Sequence, residues 1–479
     1  MVRPSPIVWL LLAALAWRML LATILPIGTD EAYEIAVGRD FALSFFDHPP
    51  LGFWAPALAE LLGADGPLGY RLPTLLFGTL GTWLLYLVGR EIGGERVGLW
   101  AAGLGVLAPF TLLAGVIILP DGPLYPAMLA STYALLRLER GGSAQWWWLA
   151  GGALGLAMAS KYQAALFGIG AFAWIVVTPS LRVWFRRPGL YGAILLALAG
   201  IAPVILWNVA NGWASLAFHS GRAGAGPNPA NAALMLLGQM VYLLPPVMIA
   251  ALLRLFNAPL WTNTRTRLLL LSSLPTLAMF NAIYTVSERS LPHWTMPGWL
   301  MLLPLVAAGL ADRPRARRWL WGFAIPAHAL LLIAALHLNS GLLTRFSDPV
   351  PEWDNTAPNL PLGTARQALN DSGLLNGRPL IAAEGWVEGG HLGAILGPDW
   401  PIRILEENPH HFLFMEGQTM TGPAALIGIT PLGAPAEALL QRLTARARTL
   451  DPGAEPLGIV PVERGGRAYF ALVVVGLDF

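Results

Sequence analysis

Carboxylates are concentrated in one short segment of a chain in which only 12% of the residues are charged. This segment, residues 28–54, directly follows an apolar run at 7–27, and it contains Asp30, Glu31, Glu34, Arg39, Asp40, Asp47 and His48. Like charges placed one turn apart destabilise a helix, so a purely structural role does not explain this choice of residues. We therefore predict that Asp30 is a catalytic base with Glu31 beside it. The alternative is that Asp30 only caps the helix that follows, because Asp is favoured at that position.

Lys161 is the only lysine in the chain, and it lies between two apolar segments, in the motif ASKYQAA. Ionisable groups at the depth of a membrane are costly, which makes them candidates for function. A compact ammonium group at such a place is suited to binding a phosphate oxygen. The structural alternative is a lysine that extends toward the membrane surface from the end of a helix.

Further polar residues are predicted to reach the same side of the membrane. Asp47 and His48 precede Pro49-Pro50, which would stiffen the turn and keep the preceding pair out of helical geometry. Asp121 lies between prolines in LPDGP, and both aspartates also suit a plain turn. The weaker candidates, and the tyrosines beside Asp30 and Lys161, are His219, Arg222, His293, Tyr33 and Tyr162.

Arg18 lies twelve residues before Asp30, which places it about 18 Å deeper along a continuous helix. We expect it either to approach a phosphate group from below or to pair inside a helical bundle. The sequence leaves both roles open.

The elements that must position these residues are membrane helices. The chain has 479 residues, of which 55% are hydrophobic, whereas a soluble protein would have about a quarter of its residues charged. Apolar runs of about 20 residues predict eleven transmembrane segments. They lie at about 7–27, 70–89, 97–119, 122–138, 146–160, 162–178, 190–207, 231–253, 267–285, 294–311 and 318–338.

Arginines predict the orientation of these helices. Alternate loops are rich in arginine, beginning with Arg90 and Arg96 and ending with the group at 313–318. By the positive-inside rule these loops are cytoplasmic. The loops that carry the candidate residues, together with the C-terminus, then face the other side. The predicted location is a bacterial inner membrane, with a cytoplasmic N-terminus and a periplasmic C-terminal domain.

The composition changes near residue 340. Four short β-like runs, PLIAAEGW, WPIRILEE, AALIGIT and AYFALVVVG, flank a helical pattern at 434–448. We predict a transmembrane domain at 1–339, with extracytoplasmic juxtamembrane helices at about 30–65. A small α/β domain at 340–479 follows it.

Composition also limits the partners and cofactors. The net charge of +2 is too small to indicate a nucleic-acid partner. There are no cysteines, so disulfides and thiolate metal sites are excluded. No cofactor is indicated, and His48, His219 and His293 could bind a divalent metal only by converging from distant parts of the chain.

The order of motifs resembles a known family. An apolar helix is followed by DEAYEIA, FDHPPLGFW, RLPTLLFG, ILPDGPL, ASKYQAA and PHWTMPGWL. This pattern resembles the bacterial branch of the dolichyl-phosphate-mannose protein mannosyltransferases. It is also similar to the aminoarabinose transferases that modify lipid A. Both belong to the membrane-embedded glycosyltransferase C superfamily, and the resemblance covers about residues 7–310.

The resemblance implies a polyprenyl-phosphate sugar donor and an extracytoplasmic active site beneath two juxtamembrane helices. The family's acidic residue after the first helix corresponds to Asp30, and its acidic–basic pair before two prolines corresponds to Asp47 and His48. The aminoarabinose transferases carry lysine at the second position, so phosphate binding by His48 would depend on its protonation. The last 140 residues carry no motif of the family.

The predicted function is therefore an inverting glycosyltransferase that moves a hexose or pentose to a hydroxyl of a lipid, glycan or protein. Asp30 would take the proton of the acceptor. Cations would stabilise the departing phosphate, and the candidates are Lys161, His48, Arg18 and Arg222. A secondary transporter and a ligase that uses a lipid-linked oligosaccharide are the alternatives. A transporter would be expected to show internal repeats, and none is evident in the sequence.

Overall fold

The computed structural model of the protein describes residues 5–220, 226–287, 290–347, 354 and 360–479. Contacts divide the chain into two compact units. The membrane unit comprises Met1–Met19, Leu43–Gly52 and Thr74–Leu330. The C-terminal unit comprises Leu20–Ala42, Phe53–Pro73 and Leu331–Phe479.

Helices account for nearly all regular structure before residue 341. The first nine are α1 (Pro6–Ile24), α2 (Thr29–Gly38), α3 (Leu51–Leu61), α4 (Gly66–Gly93), α5 (Glu95–Leu107), α6 (Pro109–Ala114), α7 (Asp121–Glu139), α8 (Gln145–Met158) and α9 (Ala164–Val177). They are followed by α10 (Pro188–Ala210), α11 (Ala214–Ser220), α12 (Pro229–Leu243), α13 (Pro245–Leu255), α14 (Ala258–Thr262), α15 (Thr264–Tyr284), α16 (Met296–Leu310) and α17 (Pro314–Ser340).

Five of the helices in the described residues, α1, α4, α10, α15 and α17, are long and apolar enough to cross a membrane. Two bent pairs raise this number to seven if each pair is one span. They are α9 with the 3-10 turn Pro179–Arg186, and α12 with α13, and each bends by 105°. The prediction of a multi-pass helical membrane protein is confirmed. Each of the eleven predicted segments overlaps a helix, but the number of spans stays a prediction.

Prolines explain why some predicted segments are broken. Pro109 follows Ala108 between α5 and α6, and Pro245 and Pro246 follow Leu244 between α12 and α13. A proline disfavours helical geometry in the residue before it. Leu244 has a φ of 72°, in the left-handed region that a leucine rarely adopts. An apolar run therefore predicts the helices while missing the bend between them.

Small residues allow α8 and α10 to pack closely. A Cβ added to Gly151 of α8 would lie 2.3 Å from the carbonyl oxygen of Ala193 in α10. One added to Gly200 of α10 would lie 2.2 Å from the carbonyl oxygen of Gly155. Close approach through small residues is the usual basis of helix packing in membranes, where apolar side chains gain little by leaving lipid.

The C-terminal unit contains a mixed sheet with helices. Its later elements are α18 (Leu362–Ser372), β1 (Leu380–Ala383), α19 (Trp386–Leu396), β2 (Ile402–Ile404), β3 (Pro423–Pro431), α20 (Ala434–Arg448), β4 (Glu455–Arg464) and β5 (Arg467–Asp478). The strand order is β2-β1-β3-β5-β4. Strand β1 pairs in parallel with β2 and β3, and β5 pairs antiparallel with β3 and β4. The predicted small α/β domain is confirmed.

The sequence missed β4, α18 and α19. Strand β4 carries Pro456 and Pro461, which weaken a strand prediction because proline cannot donate to a sheet. The structure places β4 at the edge of the sheet, where proline is tolerated. Helix α19 holds three glycines, at 389, 390 and 393, and glycine is a poor helix former.

Candidate functional site

Lys161 forms a buried ion pair with Asp121 in the membrane unit. Asp121 is the first residue of α7, and Lys161 lies in the turn between α8 and α9. Nζ of Lys161 donates to Oδ2 of Asp121 at 2.6 Å, and both side chains are at most 6% exposed. Two residues that the sequence proposed separately are thus one charged pair. An ammonium has three N–H donors, so pairing with Asp121 does not exhaust its capacity to bind a phosphate.

The turn around Asp47 and His48 is joined to the turn that carries Lys161. The backbone N–H of Leu51 donates to the carbonyl oxygen of Ala159 at 3.0 Å. The turn is closed by the N–H of Phe45, which donates to the carbonyl oxygen of His48 at 3.0 Å. The stiff Pro49-Pro50 segment thus holds His48 near the end of α8.

His219 of α11 contacts the same turn. Its Nε2 donates to the carbonyl oxygen of Asp47 at 2.7 Å. Its ring lies 5.2 Å from the ring of Tyr162, edge to face, and 6.0 Å from the ring of His48. The hydroxyl groups of Tyr162 and Ser215 are hydrogen-bonded at 2.6 Å. The structure therefore brings together four of the predicted site residues from three segments of the chain.

Both His48 and His293 are held neutral by their surroundings. Burial lowers the pKa of His48 to about 3, because desolvation outweighs the attraction of the Asp47 carboxylate. Burial also lowers the pKa of His293 to about 4, and the nearby Lys161 ammonium acts in the same direction. At neutral pH these rings can donate or accept hydrogen bonds, but they carry no charge.

A cavity of about 440 Å³ opens beside these residues. Lys161, His48, His219 and Tyr162 line its polar end. The remaining wall is Gln163 together with the largely apolar set Ala165, Leu166, Leu216, Met279, Phe280, Ile283 and Trp294. Pockets with an apolar wall and a few converging polar groups are typical of ligand sites.

A second cavity of about 430 Å³ lies between α7, α8, α9 and α10. Its lining is apolar apart from Ser131, and it includes Ala165, which also lines the first cavity. The lining residues of α9 run from Ala165 to Ile175, which is about 15 Å along a helix. The membrane unit thus has one cavity with a polar end and a second cavity with an apolar lining, and Ala165 lines both.

Arg18 lies elsewhere in the membrane unit. Its Nη2 donates to Oγ1 of Thr82 at 2.8 Å, and its side chain is fully buried. Its Nε and Nη1 have no hydrogen-bond partner among the described residues. Arg18 lines a cavity of about 20 Å³ beside Gly78 and Gly115, which is about the size of one water molecule. Of the two roles left open by the sequence, this position favours the one inside the bundle.

Asp30 and Glu31, in the C-terminal unit, have different surroundings. Asp30 is exposed at the start of α2, whereas Glu31 is 2% exposed. Both carboxylate oxygens of Glu31 accept from Arg71, at 2.8 and 2.6 Å. Glu31 also accepts the N–H of Gly28 at 3.0 Å and so caps α2. This ion pair indicates that Glu31 positions the helix, while Asp30 keeps an accessible carboxylate.

Arg71 is a residue that the sequence reasoning did not assign to the site. Besides Glu31, it donates to the carbonyl oxygens of Ala22, Leu25 and Pro26 at the end of α1, at 2.6 to 2.8 Å. One feature of the sequence could have identified Arg71. Most arginines lie in the predicted cytoplasmic loops, whereas Arg71 lies on the predicted extracytoplasmic side.

Tyr33, predicted to line the pocket, is buried in the C-terminal unit among aromatic rings from α19 and from residues 410–412. Arg222 lies outside the described residues. Among the residues that the structure describes, no group of three or more His, Cys, Asp or Glu side chains is arranged to hold a metal ion.

Residues 47–207 match the family model of dolichyl-phosphate-mannose-protein mannosyltransferases. No curated protein sequence matches the chain. The resemblance predicted from the motifs is confirmed for this part of the chain, which contains Asp47, His48, Asp121, Lys161 and Tyr162.

Solved structures of ArnT from Cupriavidus metallidurans share the fold of the chain. The structure bound to undecaprenyl phosphate matches with a TM-score of 0.63 and 16% sequence identity, over 98% of this chain and 97% of that one. The structure of its apo state matches with a TM-score of 0.62, at the same identity and coverage. The predicted architecture, a polytopic helical part followed by a small α/β domain, is thus the fold of these structures.

Proposed function

We propose that this protein, whose residues 47–207 match a family of mannosyltransferases, is an inverting glycosyltransferase that uses a polyprenyl-phosphate sugar. The transferred sugar is a hexose or pentose, and the acceptor is a hydroxyl group of the cell envelope. The observation that carries the proposal is the cavity of about 440 Å³ with Lys161 at its polar end, within the matched family region.

The polar end of this cavity is suited to the phosphate of the donor. Lys161 supplies the positive charge, and Asp121 orients the ammonium through the 2.6 Å hydrogen bond. His48, with its pKa of about 3, is neutral and contributes a hydrogen bond. A charge-assisted contact from Lys161 would be the strongest of these.

The apolar cavity of about 430 Å³ is suited to the lipid of the donor. Because Ala165 lines both cavities, a phosphate near Lys161 could continue directly into a hydrocarbon chain along α9. The structure of ArnT with undecaprenyl phosphate shows that a protein of this fold binds such a lipid. An amphipathic ligand matches the change from polar to apolar lining better than a wholly water-soluble one.

The reaction is a single displacement at the anomeric carbon. The acceptor hydroxyl oxygen forms a bond to this carbon as the bond to the phosphate oxygen breaks, and the phosphate leaves with the bonding electron pair. The proton of the acceptor goes to Asp30, and stabilisation of the leaving phosphate falls to Lys161. One displacement inverts the anomeric configuration.

The proposed location is the bacterial inner membrane, with a cytoplasmic N-terminus and a periplasmic C-terminal unit. The distribution of arginines supports this orientation. A polyprenyl phosphate is itself a membrane lipid, which agrees with a site built on membrane helices.

The test uses purified protein in lipid nanodiscs with undecaprenyl-phosphate-linked mannose, glucose or aminoarabinose. A glycan-containing extract of the cell envelope serves as acceptor. The wild-type protein should release undecaprenyl phosphate and transfer the sugar.

Asp30→Asn should abolish transfer without lowering the thermal midpoint, whereas Glu31→Gln should lower the midpoint because it breaks the buried pair with Arg71. Near-normal turnover by Asp30→Asn would remove Asp30 from the mechanism.

A further inference from the structure

Three aromatic rings of the C-terminal unit form a stack beside α2. The ring of Trp386 lies 4.5 Å from that of His410, with 27° between the planes. The ring of Tyr33 meets Trp386 at 5.2 Å and His410 at 5.9 Å, both edge to face. Tyr33 is buried, whereas Trp386 and His410 are partly exposed. The inner ring therefore supports two outer rings that solvent can reach.

The backbone around this stack is held in a costly conformation. His410 has a φ of 53°, which is uncommon for a residue other than glycine. The next residue fixes the segment, because the N–H of His411 donates to the Tyr33 hydroxyl at 3.1 Å and its Nε2 lies 3.2 Å from Oδ2 of Asp40. Strained residues of this kind concentrate at binding sites.

Carboxylates border the exposed side of the stack. A Cβ placed on Gly385 would lie 3.1 Å from Oε2 of Glu388 and 3.4 Å from Oε1 of Glu406, so both groups converge beside Trp386. Glu406 accepts the N–H of Trp386 at 2.7 Å. Desolvation raises the pKa of Glu388, and the neighbouring Glu384 and Glu406 add to this effect. Carboxylate oxygens that can accept hydrogen bonds thus lie next to the backbone of Trp386.

The stack lies close to the predicted base. Asp30 and Tyr33 are three residues apart on α2, so their side chains occupy the same face of the helix. The exposed carboxylate of Asp30 and the ring that supports Trp386 and His410 are therefore neighbours within one unit.

We infer that Trp386 and His410 form a platform for a pyranose ring of the acceptor glycan, a role that rests on the proposed sugar transfer. The C–H face of a pyranose is complementary to the electron-rich face of an aromatic ring. The hydroxyl groups at its edge donate to Glu388 and Glu406. The platform would hold the acceptor beside Asp30, and it gives the C-terminal unit a function in acceptor selection.

Saturation-transfer NMR tests the platform without catalysis. The probes are methyl β-glucoside, methyl β-galactoside and methyl β-glucosaminide, added to the full-length protein in nanodiscs. The wild-type protein should transfer saturation to ring C–H protons of at least one probe, and Trp386→Leu should reduce the signal about fivefold, because a flat aromatic face is lost. Phe346→Ala is the control, since Phe346 is an aromatic residue of the same unit that is 96% exposed. It should leave the signal unchanged.

A second variant covers the case in which Trp386→Leu does not fold. Glu388→Gln keeps the size of the side chain and the aromatic stack, and it should weaken the signal because hydrogen bonds to a charged acceptor are stronger. The inference is overturned if no probe receives saturation from the wild-type protein. It is equally overturned if the folded variants behave like the wild type.

The transfer assay separates this inference from the proposed function. Trp386→Leu should raise the KM for the acceptor about tenfold, with a much smaller change in kcat at saturating acceptor. If the wild-type protein transfers the sugar and Trp386→Leu has the same KM for the acceptor, the platform alone is refuted. A Trp386-dependent NMR signal in a protein that never releases undecaprenyl phosphate would refute the proposed function and leave the sugar platform in place.

Discussion

Neighbouring residues in this protein can have very different surroundings. Asp30 and Glu31 are adjacent in the sequence, yet one is exposed and the other is 2% exposed and paired with Arg71. Both carboxylate oxygens of Glu31 are buried and already accept hydrogen bonds from Arg71, so an acceptor hydroxyl has little access to them. The residue environment thus supports Asp30 over Glu31 as the candidate base.

The pairing of Lys161 with Asp121 changes what a single substitution would report. Lys161→Ala leaves the Asp121 carboxylate buried without its cation, so we expect unfolding to become about 3–5 kcal/mol easier. The double variant Asp121→Asn/Lys161→Met should recover much of this stability, because neither charge remains. It should still fail to bind undecaprenyl phosphate. Thermal midpoints and lipid binding measured in the same detergent would check both expectations.

An exposed ion pair in the same unit provides the control. Arg96 and Asp312 are paired at 2.8 Å, with side chains 59% and 82% exposed. Replacing both by alanine should change stability by less than about 1 kcal/mol. Normal lipid binding by the Asp121→Asn/Lys161→Met variant would assign Lys161 a structural role only.

The low pKa of His48 predicts a pH dependence of stability. Its pKa of about 3 lies below the ordinary value of 6.5, so between these two values the unfolded chain takes up a proton that the folded protein does not. The contribution of His48 to stability is complete above pH 6.5 and is lost as the pH falls toward 3. His48→Gln, which cannot titrate, should lose less thermal stability than the wild type between pH 7 and pH 4.5.

The same variant tests the charge of His48 at the donor site. Because the ring is neutral at pH 7, His48→Gln should keep donor affinity within about threefold, since one neutral hydrogen-bonding group replaces another. The opposite result would be that His48→Gln binds the donor about a hundredfold more weakly than the wild type at pH 7, while the two proteins bind it equally at pH 9. That result would show that His48 binds phosphate in its protonated form.

At the scale of helices, the contact between α8 and α10 depends on glycine at particular positions. Gly151→Ala would place a methyl group 2.3 Å from a backbone oxygen of α10, and we expect it to cost about 1–3 kcal/mol. Gly152→Ala is a control from the next position, where no atom lies within 4 Å of the added Cβ. It should be neutral or stabilising by up to about 1 kcal/mol, because alanine is the better helix former.

Thermal unfolding of the two variants in one detergent would compare them directly. Equal midpoints would mean that α8 and α10 can separate without loss. This contact also bounds the apolar cavity, so Gly151→Ala should reduce binding of long-chain polyprenyl phosphates more than binding of short ones.

At the scale of the whole molecule, the absence of cysteine makes orientation directly measurable. Ser143 lies between α7 and α8 on the predicted cytoplasmic side, and Ala445 lies on α20 of the C-terminal unit. Both residues are exposed. Ala445→Cys should react with a membrane-impermeant maleimide in cells whose outer membrane has been opened. Ser143→Cys should react only after the inner membrane is disrupted.

Labelling in the reverse pattern would place the arginine-rich loops outside and contradict the positive-inside assignment. It would also remove the periplasmic location from the proposed function. The two positions were small residues before substitution, so differences in folding should not account for a difference in labelling.

The sequence by itself determined the class of the molecule and its main segments. Apolar runs, the arginine distribution and the change in composition near residue 340 are properties read along the chain, and helix and strand formation depends on the same local patterns. The family resemblance likewise rests on motifs in order. Local patterns predicted less well where proline or glycine had a special position, as in the edge strand β4 and in α19.

Only the tertiary structure decided which charges pair. Lys161 pairs with Asp121, and Glu31 with Arg71, each across 40 residues of sequence. The aromatic stack joins Tyr33 to Trp386 and His410, more than 350 residues later. The free-energy cost of burying a charge or a polar ring depends on the group that contacts it in the folded protein. The spacing of residues along the chain does not specify that partner.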